Sequence, residues 1–395
     1  MAELCRSDAV LICADHYRRH SYGNNHPLAI PRVSLMLEFI HAYAAIEKHE
    51  IVTSRLASDA ELLAFHTPDY VRALQEAEAI GKVAVAARER HKLGTTENPY
   101  FPGFFSTPAT ATGGSIQAAE QVVAGRMAFS PAGGMHHAMP DQAQGFCFFN
   151  DVTLAVMRLR AEGFRVLYLD IDAHHGDGVE FAFKDDPNVL TFSLHMDTGY
   201  AYPFKGGEWS TWGQLANALN VPLPRGTHDE EYWYAFETLW PRVLATFKPD
   251  AIVMQAGTDM LAPDPLGKLN ISTQLFLKVV ARVLADCPVH ASGVPRLAVL
   301  GGGGYHPIML ARCWAGVWAL LSGRDLPIDI PAEAAKVLRA AGWDNDEDEP
   351  YFESLFQQRI DQATEGPVRA ELIQTVEALC ARHPLLQTEK LESMQ

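Results

Sequence analysis

The stretch Phe164-Arg165-Val166-Leu167-Tyr168-Leu169-Asp170-Ile171-Asp172-Ala173-His174-His175-Gly176-Asp177-Gly178 decides the fold class. Its first half is a short apolar run, the pattern of a strand buried on both faces. Its second half abruptly carries acids and histidines between glycine turns. Side chains two apart on an extended chain share a face, so Asp170, Asp172 and His174 can be presented together where the strand ends. In an α/β sheet that edge is where ligands bind. Two carboxylates buried side by side are costly unless a cation or hydrogen bonds compensate, and a divalent metal is the simplest compensation. A bare Asp-x-His is more often a solvated acidic turn. The apolar run before this one and the turns after it favour the metal.

Similar apolar runs alternate with amphipathic helical stretches along most of the 395 residues. The pattern predicts strands at Ala9–Ala14, Met127–Pro131, Arg165–Asp170, Val189–Leu194, Ala251–Gln255 and Leu297–Leu300. Helices are predicted at Ser34–Glu47, Pro68–Ala79, Thr112–Ala124, Asn150–Glu162, Asp229–Thr246, Ser272–Ala285 and Pro307–Leu321. Such alternation gives an α/β fold: a single domain whose central, mainly parallel β-sheet is flanked by helices on both faces. The alternation stops after about Leu321. Residues 1–325 therefore read as the catalytic domain and 326–395 as a helical, acidic extension packed on it, with Trp343-Asp-Asn-Asp-Glu-Asp-Glu349 as a solvated face. The long loops Gly94–Phe105 and Met196–Gly213 are rich in aromatics and read as functional rims.

With 48% apolar residues the chain can build a large core. Its formal charge is −16, from 32 basic and 48 acidic side chains, which disfavours direct nucleic-acid binding through a basic surface. Cationic partners suit it better. The 6 cysteines are scattered with no C-x-x-C pair, the usage of a reducing compartment. No signal-like N-terminus and no membrane-length apolar run stand out, so a cytoplasmic protein without a membrane partner is expected.

Three further segments carry chemistry. Gly133-Gly134-Met135-His136-His137-Ala138 follows a predicted strand, and a turn can aim both histidines into one cavity. Asp170 and Asp177 are then spare carboxylates able to fix the tautomers of two histidines. Met254-Gln-Ala-Gly-Thr-Asp259 is a strand ending on a carboxylate, so Asp259 can complete an Asp-His-Asp set with Asp172 and His174. The bland alternative for Asp259 is a helix cap. Three protein ligands with an open position describe a catalytic metal site, and the donor set suits Zn²⁺ or Fe²⁺ without distinguishing them. Two carboxylates nearly neutralise the ion, so a nearby base is needed and the histidine pair supplies one. In Val299-Leu-Gly301-Gly-Gly303-Gly-Tyr305-His306 the glycines allow close backbone approach, and no Lys-Ser/Thr follows to make a phosphate cradle. Tyr305 is placed to stabilise an oxyanion, with plain packing as the alternative.

Together these segments resemble the arginase-like histone deacetylase family, its class I branch and the bacterial acetoin-utilisation-type deacetylases. The resemblance runs from His26-Pro-Leu-Ala-Ile-Pro-Arg32 through Asp69-Tyr-Val, Gly113-Gly114-Ser, Gly133–Ala138, Gly145–Asp151, Asp170–Glu180, Ser193-Leu-His195 and Ala256–Pro265 to Gly301–Tyr305. It implies a zinc-dependent hydrolase on Asp172, His174 and Asp259, with Fe²⁺ as the rival ion. His137 would be the general base, partnered by Asp177. His136, partnered by Asp170, would be its electrostatic companion, and Tyr305 would hold the oxyanion. The resemblance implies an acyl-lysine tube made by the Gly145 and Gly303 carbonyls, Phe146 and Tyr202, with Tyr200 a close rival and Leu266 at the mouth. Arg32 would line an internal cavity for released acetate. Potassium is implied at the backbones of Asp170, Asp172, His174, Ser193 and Leu194, and a second at Phe183, Asp186 and Val189. Glu97 stands where the family carries a rim aspartate, and its extra methylene should loosen that clamp. The implied substrates are acetylated lysine of proteins or peptides, with acetylated polyamines or other small amines as the alternative. A silent acyl-lysine reader would not need this whole set. A dinuclear ureohydrolase would need more ligands than one Asp-x-His.

Overall fold

The computed structural model describes residues 8–18, 22, 23, 26–343 and 352–387. Cys5 and the acidic run after Trp343 lie outside the described residues. Eight strands form one sheet: β1 (Ala9–Cys13), β2 (Ile51–Thr53), β3 (Met127–Ser130), β4 (Val166–Asp170), β5 (Val189–Met196), β6 (Ala218–Leu223), β7 (Ala251–Gln255) and β8 (Leu297–Leu300). Their order is β2-β1-β3-β8-β7-β4-β5-β6, and every neighbouring pair is parallel. The expected architecture is thus the observed one.

Period-two alternation explains why the sheet is covered on both sides. Leu11, Phe129, Leu167, Leu169, Ile252 and Met254 point into the larger core, against the helices Arg32–Ala42, Asp229–Phe247, Thr273–Asp286 and Pro307–Leu321. Their neighbours Val10, Ile12, Ala128, Val166, Tyr168 and Val253 point the other way, against Ser106–Val123 and Asp151–Ala161. Each face excludes water, so neither can tolerate the polar alternation of a half-exposed strand.

The two strands that the pattern did not predict are both edges. β2 is a three-residue strand whose side chains are at best half-buried. β6 carries Asn220 and Pro222, and a proline is tolerated because only one side of the strand pairs, with β5. The helix expected from Thr112 begins at Ser106, because a proline in its first turn (Pro108) needs no intrahelical donor. The helix expected at Ser34–Glu47 runs from Arg32 and ends at Ala42.

Beyond residue 325 the chain closes the larger core. Leu338, Leu355, Phe356, Leu372, Val376 and Leu379 join its apolar cluster. Arg369 forks onto the fully buried Glu231 carboxylate at 2.5 and 2.7 Å, an ion pair with bidentate geometry.

Parallel strands put all their C-terminal ends on one edge. The loops leaving β3, β8, β7 and β4 therefore lie side by side, although 131 and 306 are far apart in sequence. Trp314, fully buried on Pro307–Leu321, ties this edge to the helix layer by donating from Nε1 to the Ala256 carbonyl at 2.8 Å. Trp314→Ala should cost about 3–5 kcal/mol by cavity formation and should orphan that carbonyl. Trp314→Phe keeps most of the volume and should cost about 1–3 kcal/mol. Denaturant melts of the two variants check the order.

Candidate active site

β4 ends at Asp170, which pairs across the ladder with Gln255 on one side and Ser193 on the other. The chain then turns so that Asp172 and His174 face the loop after β7, which carries Asp259. His174 Nδ1 lies 2.9 Å from Asp259 Oδ2 and 3.3 Å from Asp172 Oδ1. The ligand atoms of the three residues lie within 4.8 Å of one another, and all three are buried. The carboxylates are aimed by backbone donors. Asp172 accepts from His174 N at 2.9 Å and Gly303 N at 2.7 Å, and Asp259 accepts from Ala173 N at 2.9 Å.

This donor set fits a divalent cation. Among the described residues no lysine or arginine pairs with either carboxylate, so negative charge converges on one ring nitrogen. Burial disfavours a charged His174, yet Asp259 and Asp172 push its pKa up to about 10. Burial and the neighbouring Asp172 push Asp259 up to about 7. A shared proton is one answer to that excess; a metal is the stronger one. Room for it is kept by missing side chains. A Cβ on Gly257 would lie 2.0 Å from Asp172 Oδ2, and one on Gly303 would lie 2.0 Å from Asp259 Oδ2.

The turn after β3 delivers the histidine pair. His136 Nδ1 meets Asp170 Oδ2 at 2.9 Å, His137 Nδ1 meets Asp177 Oδ1 at 2.8 Å, and the two Nε2 atoms converge 3.0 Å apart. The two adjacent imidazoles are driven in opposite directions. Burial opposes the charged form of His136, but Asp170 and Asp172 outweigh it and raise its pKa to about 9. Burial and the charge of His136 lower His137 to about 4. One histidine is held as a cation and its neighbour as a neutral base, which is the separation that acid–base chemistry needs.

Several supports were not singled out from the sequence. Asp151 holds the turn before the histidines, accepting from Gly134 N at 2.9 Å and Met135 N at 2.7 Å. Gln144 donates to Asp177 at 2.8 Å, and Tyr168 donates to Asp170 at 2.6 Å. Asp264 accepts from Tyr305 N at 2.6 Å and so fixes the loop that carries Tyr305. Asp151 and Asp264 lie within the quoted motifs, but their service to backbone donors leaves no spacing signature.

A cavity of about 460 Å³ leads from these residues to the surface. Phe146 and Tyr202 flank it. Phe146 stands edge-on to Tyr305 at 5.8 Å and Tyr202 edge-on to His137 at 4.8 Å. Tyr200 also reaches the cavity, but its hydroxyl is turned away to the Leu223 carbonyl at 3.0 Å. Burial, with Asp259 and Asp172 nearby, pushes the Tyr305 hydroxyl well above its ordinary range, so it stays a donor. Leu266 and Glu97 stand at the mouth. Arg32 donates to the Gly304 carbonyl at 2.7 Å and lines a small cavity beneath the site with Leu28 and Met135.

The expected potassium residues divide. Those on β4 and β5 are direct neighbours, Asp170 opposite Ser193, with the Ser193 hydroxyl 2.8 Å from His195 Nδ1. The carbonyls of Phe183, Asp186 and Val189 instead all accept from Asn217 Nδ2, at 2.8, 3.1 and 3.3 Å. One amide nitrogen has two hydrogens for these three carbonyls, each with two lone pairs, so the carbonyls keep acceptor capacity.

The family model described as a histone deacetylase domain matches residues 26–321. The acetoin utilization protein AcuC of Bacillus subtilis is 35% identical over 332 residues, covering 82% of this chain and 85% of the relative. Histone deacetylase 8 of Xenopus tropicalis is 37% identical over 304 residues, covering 76% of this chain and 80% of its own. The crystal structure of an HDAC homolog complexed with SAHA superposes with a TM-score of 0.89 at 40% identity, over 94% of this chain and 99% of that one. An HDAC homolog from Aquifex aeolicus gives a TM-score of 0.88 at 39% identity over the same shares.

Gly303→Ala should remove the metal while leaving the fold, since its methyl would sit among the ligand oxygens. Elemental analysis of purified protein, compared with wild type at equal thermal stability, checks it.

Proposed function

The chain belongs to the histone deacetylase family, and from that membership we propose that this metal-dependent deacetylase hydrolyses N6-acetyl-lysine in proteins or peptides to lysine and acetate. The observation that carries the reading is the pairing of His136 and His137 with Asp170 and Asp177, beside the Asp172-His174-Asp259 cluster and facing Tyr305.

Asp172, His174 and Asp259 would hold the ion, with zinc the choice. When bound, it polarises the acyl carbonyl and acidifies the attacking water. The protein's own groups do the rest. Asp177 engages His137 Nδ1, so Nε2, which meets His136 Nε2 at 3.0 Å, is the nitrogen that would turn to take the proton of water and return it to the leaving amine. His136, charged, offsets the negative charge that develops beside it. Tyr305 donates to the oxyanion from the opposite wall. Phe146 and Tyr202 sheathe the lysine methylenes in apolar surface. Arg32, below the site, offers a cation to the carboxylate product.

A potassium ion on the backbones of Asp170, Asp172, His174, Ser193 and Leu194 belongs to the same reading, as support for the ligand-bearing turn. Cytoplasmic residence fits the cysteines, since Cys147, Cys287, Cys313 and Cys380 are thiols outside any disulfide. Among the described residues no helix is long and apolar enough to cross a membrane.

Tyr305→Phe should lower kcat on an acetyl-lysine peptide by about 10²–10³-fold, with bound metal unchanged. Steady-state kinetics beside metal analysis test it. Near-wild-type turnover in this variant would remove the oxyanion role.

A further inference from the structure

At the mouth of the tube, one carboxylate is committed to the protein itself. We infer that Glu97 is a specificity-determining residue: it braces the two walls of the tube, withholds its carboxylate from the substrate backbone, and so makes the enzyme select the acylated alkylamine stem over the peptide around it. The inference rests on the deacetylase reading and names the substrate feature that this site recognises.

The Glu97 carboxylate accepts from the backbone N–H of Gly145, on the Phe146 wall. The Tyr202 hydroxyl, on the opposite wall, faces the same carboxylate across the cavity. The Gly145–Phe146 wall is held in place. Gly145 and Phe146 are consecutive left-handed residues, with φ +57° and +65°, and Phe146 has no glycine's licence for that conformation. Their turn is held from behind. Tyr22 donates to the Phe146 carbonyl at 3.1 Å, and the Cys147 thiol lies 3.2 Å from the Gly145 carbonyl. The loop bearing Glu97 is fixed as well. The adjacent Asn98 is fully buried, and its N–H donates to Thr95 Oγ1 at 3.0 Å.

The energetics follow from exchange. A peptide N–H that took the Glu97 oxygen held by Gly145 would replace a bond of the same kind, and nothing is gained at that oxygen. Among the described residues no lysine or arginine pairs with Glu97, so these neutral donors are what holds it. Beside Lys268, the exposed part of the rim is apolar. Phe204 is 68% exposed and Leu266 37% exposed, and both line the mouth. Phe204 and Leu266 suit a methylene stem and themselves offer a peptide backbone no hydrogen bond.

The test compares acetate release from an acetyl-lysine peptide and from N-pentylacetamide, which keeps the stem and lacks the backbone. For the wild-type holoenzyme, kcat/KM on the two should agree within about tenfold. Glu97→Ala should raise KM for both by a similar factor, about three- to tenfold, with kcat largely held. Glu97→Gln keeps an acceptor for the Gly145 N–H and should recover most of that loss. Thermal melts of both variants should stay with wild type, separating the brace from the fold. A wild-type preference for peptide above about 100-fold that Glu97→Ala abolishes, with the small substrate unaffected, would show a backbone clamp and overturn the inference. Hydrolysis of neither substrate by metal-loaded wild type would instead overturn the deacetylase reading on which it rests.

Discussion

Asp170, Asp172 and Asp259 are packed at the edge of one sheet with almost no exposure, and the rest of the structure is arranged around that electrostatic load. Burying one carboxylate is costly; burying three in contact demands that each be answered by named donors. Asp170 has Tyr168, His136 and the N–H of Asp172; Asp172 has two backbone N–H groups; Asp259 has one and the ring of His174. The remaining charge is the site's capacity for a cation. The glycines at 257 and 303 follow from the same constraint, because backbone must approach the carboxylates more closely than any Cβ would allow.

The two histidines show how environment divides one residue type into two roles. They are adjacent in sequence, equally buried and joined through Nε2, yet one is driven to the cation and the other to the neutral base. The decisive difference is position. His136 sits against Asp170 and within 3.9 Å of Asp172, whereas His137 feels its charged neighbour at close range and has Asp177 alone as counterweight. Fixed carboxylates on both Nδ1 atoms also leave the tautomers little freedom.

Away from the reacting centre, the same economy of donors governs the loops. The amide of Asn217 gathers the carbonyls of Phe183, Asp186 and Val189, and Glu97 accepts from the Gly145 N–H beside the mouth. Both are single side chains whose reach, one methylene more or less, alters what an approaching ion or substrate finds.

The amino-acid sequence by itself determined the parallel sheet, because continuous apolar runs such as Val166–Leu169 permit no other burial, and it marked Asp172, His174, Asp259, His136, His137 and Tyr305 as candidates, because each follows such a run at the edge where ligands bind. It left the edge strands hidden: Ile51–Thr53 is too short to show a period, and Asn220 and Pro222 interrupt the pattern of β6. Only the tertiary structure decided which side chains are already satisfied. That Tyr202 and not Tyr200 turns its hydroxyl to the mouth, that Asp151 and Asp264 serve backbone donors, that Asn217 meets three carbonyls and that Glu97 accepts from Gly145 depend on contacts between residues tens to over a hundred positions apart. Hydrogen bonds of that kind are fixed by distance and direction in space, and neither is written in the local spacing of the chain.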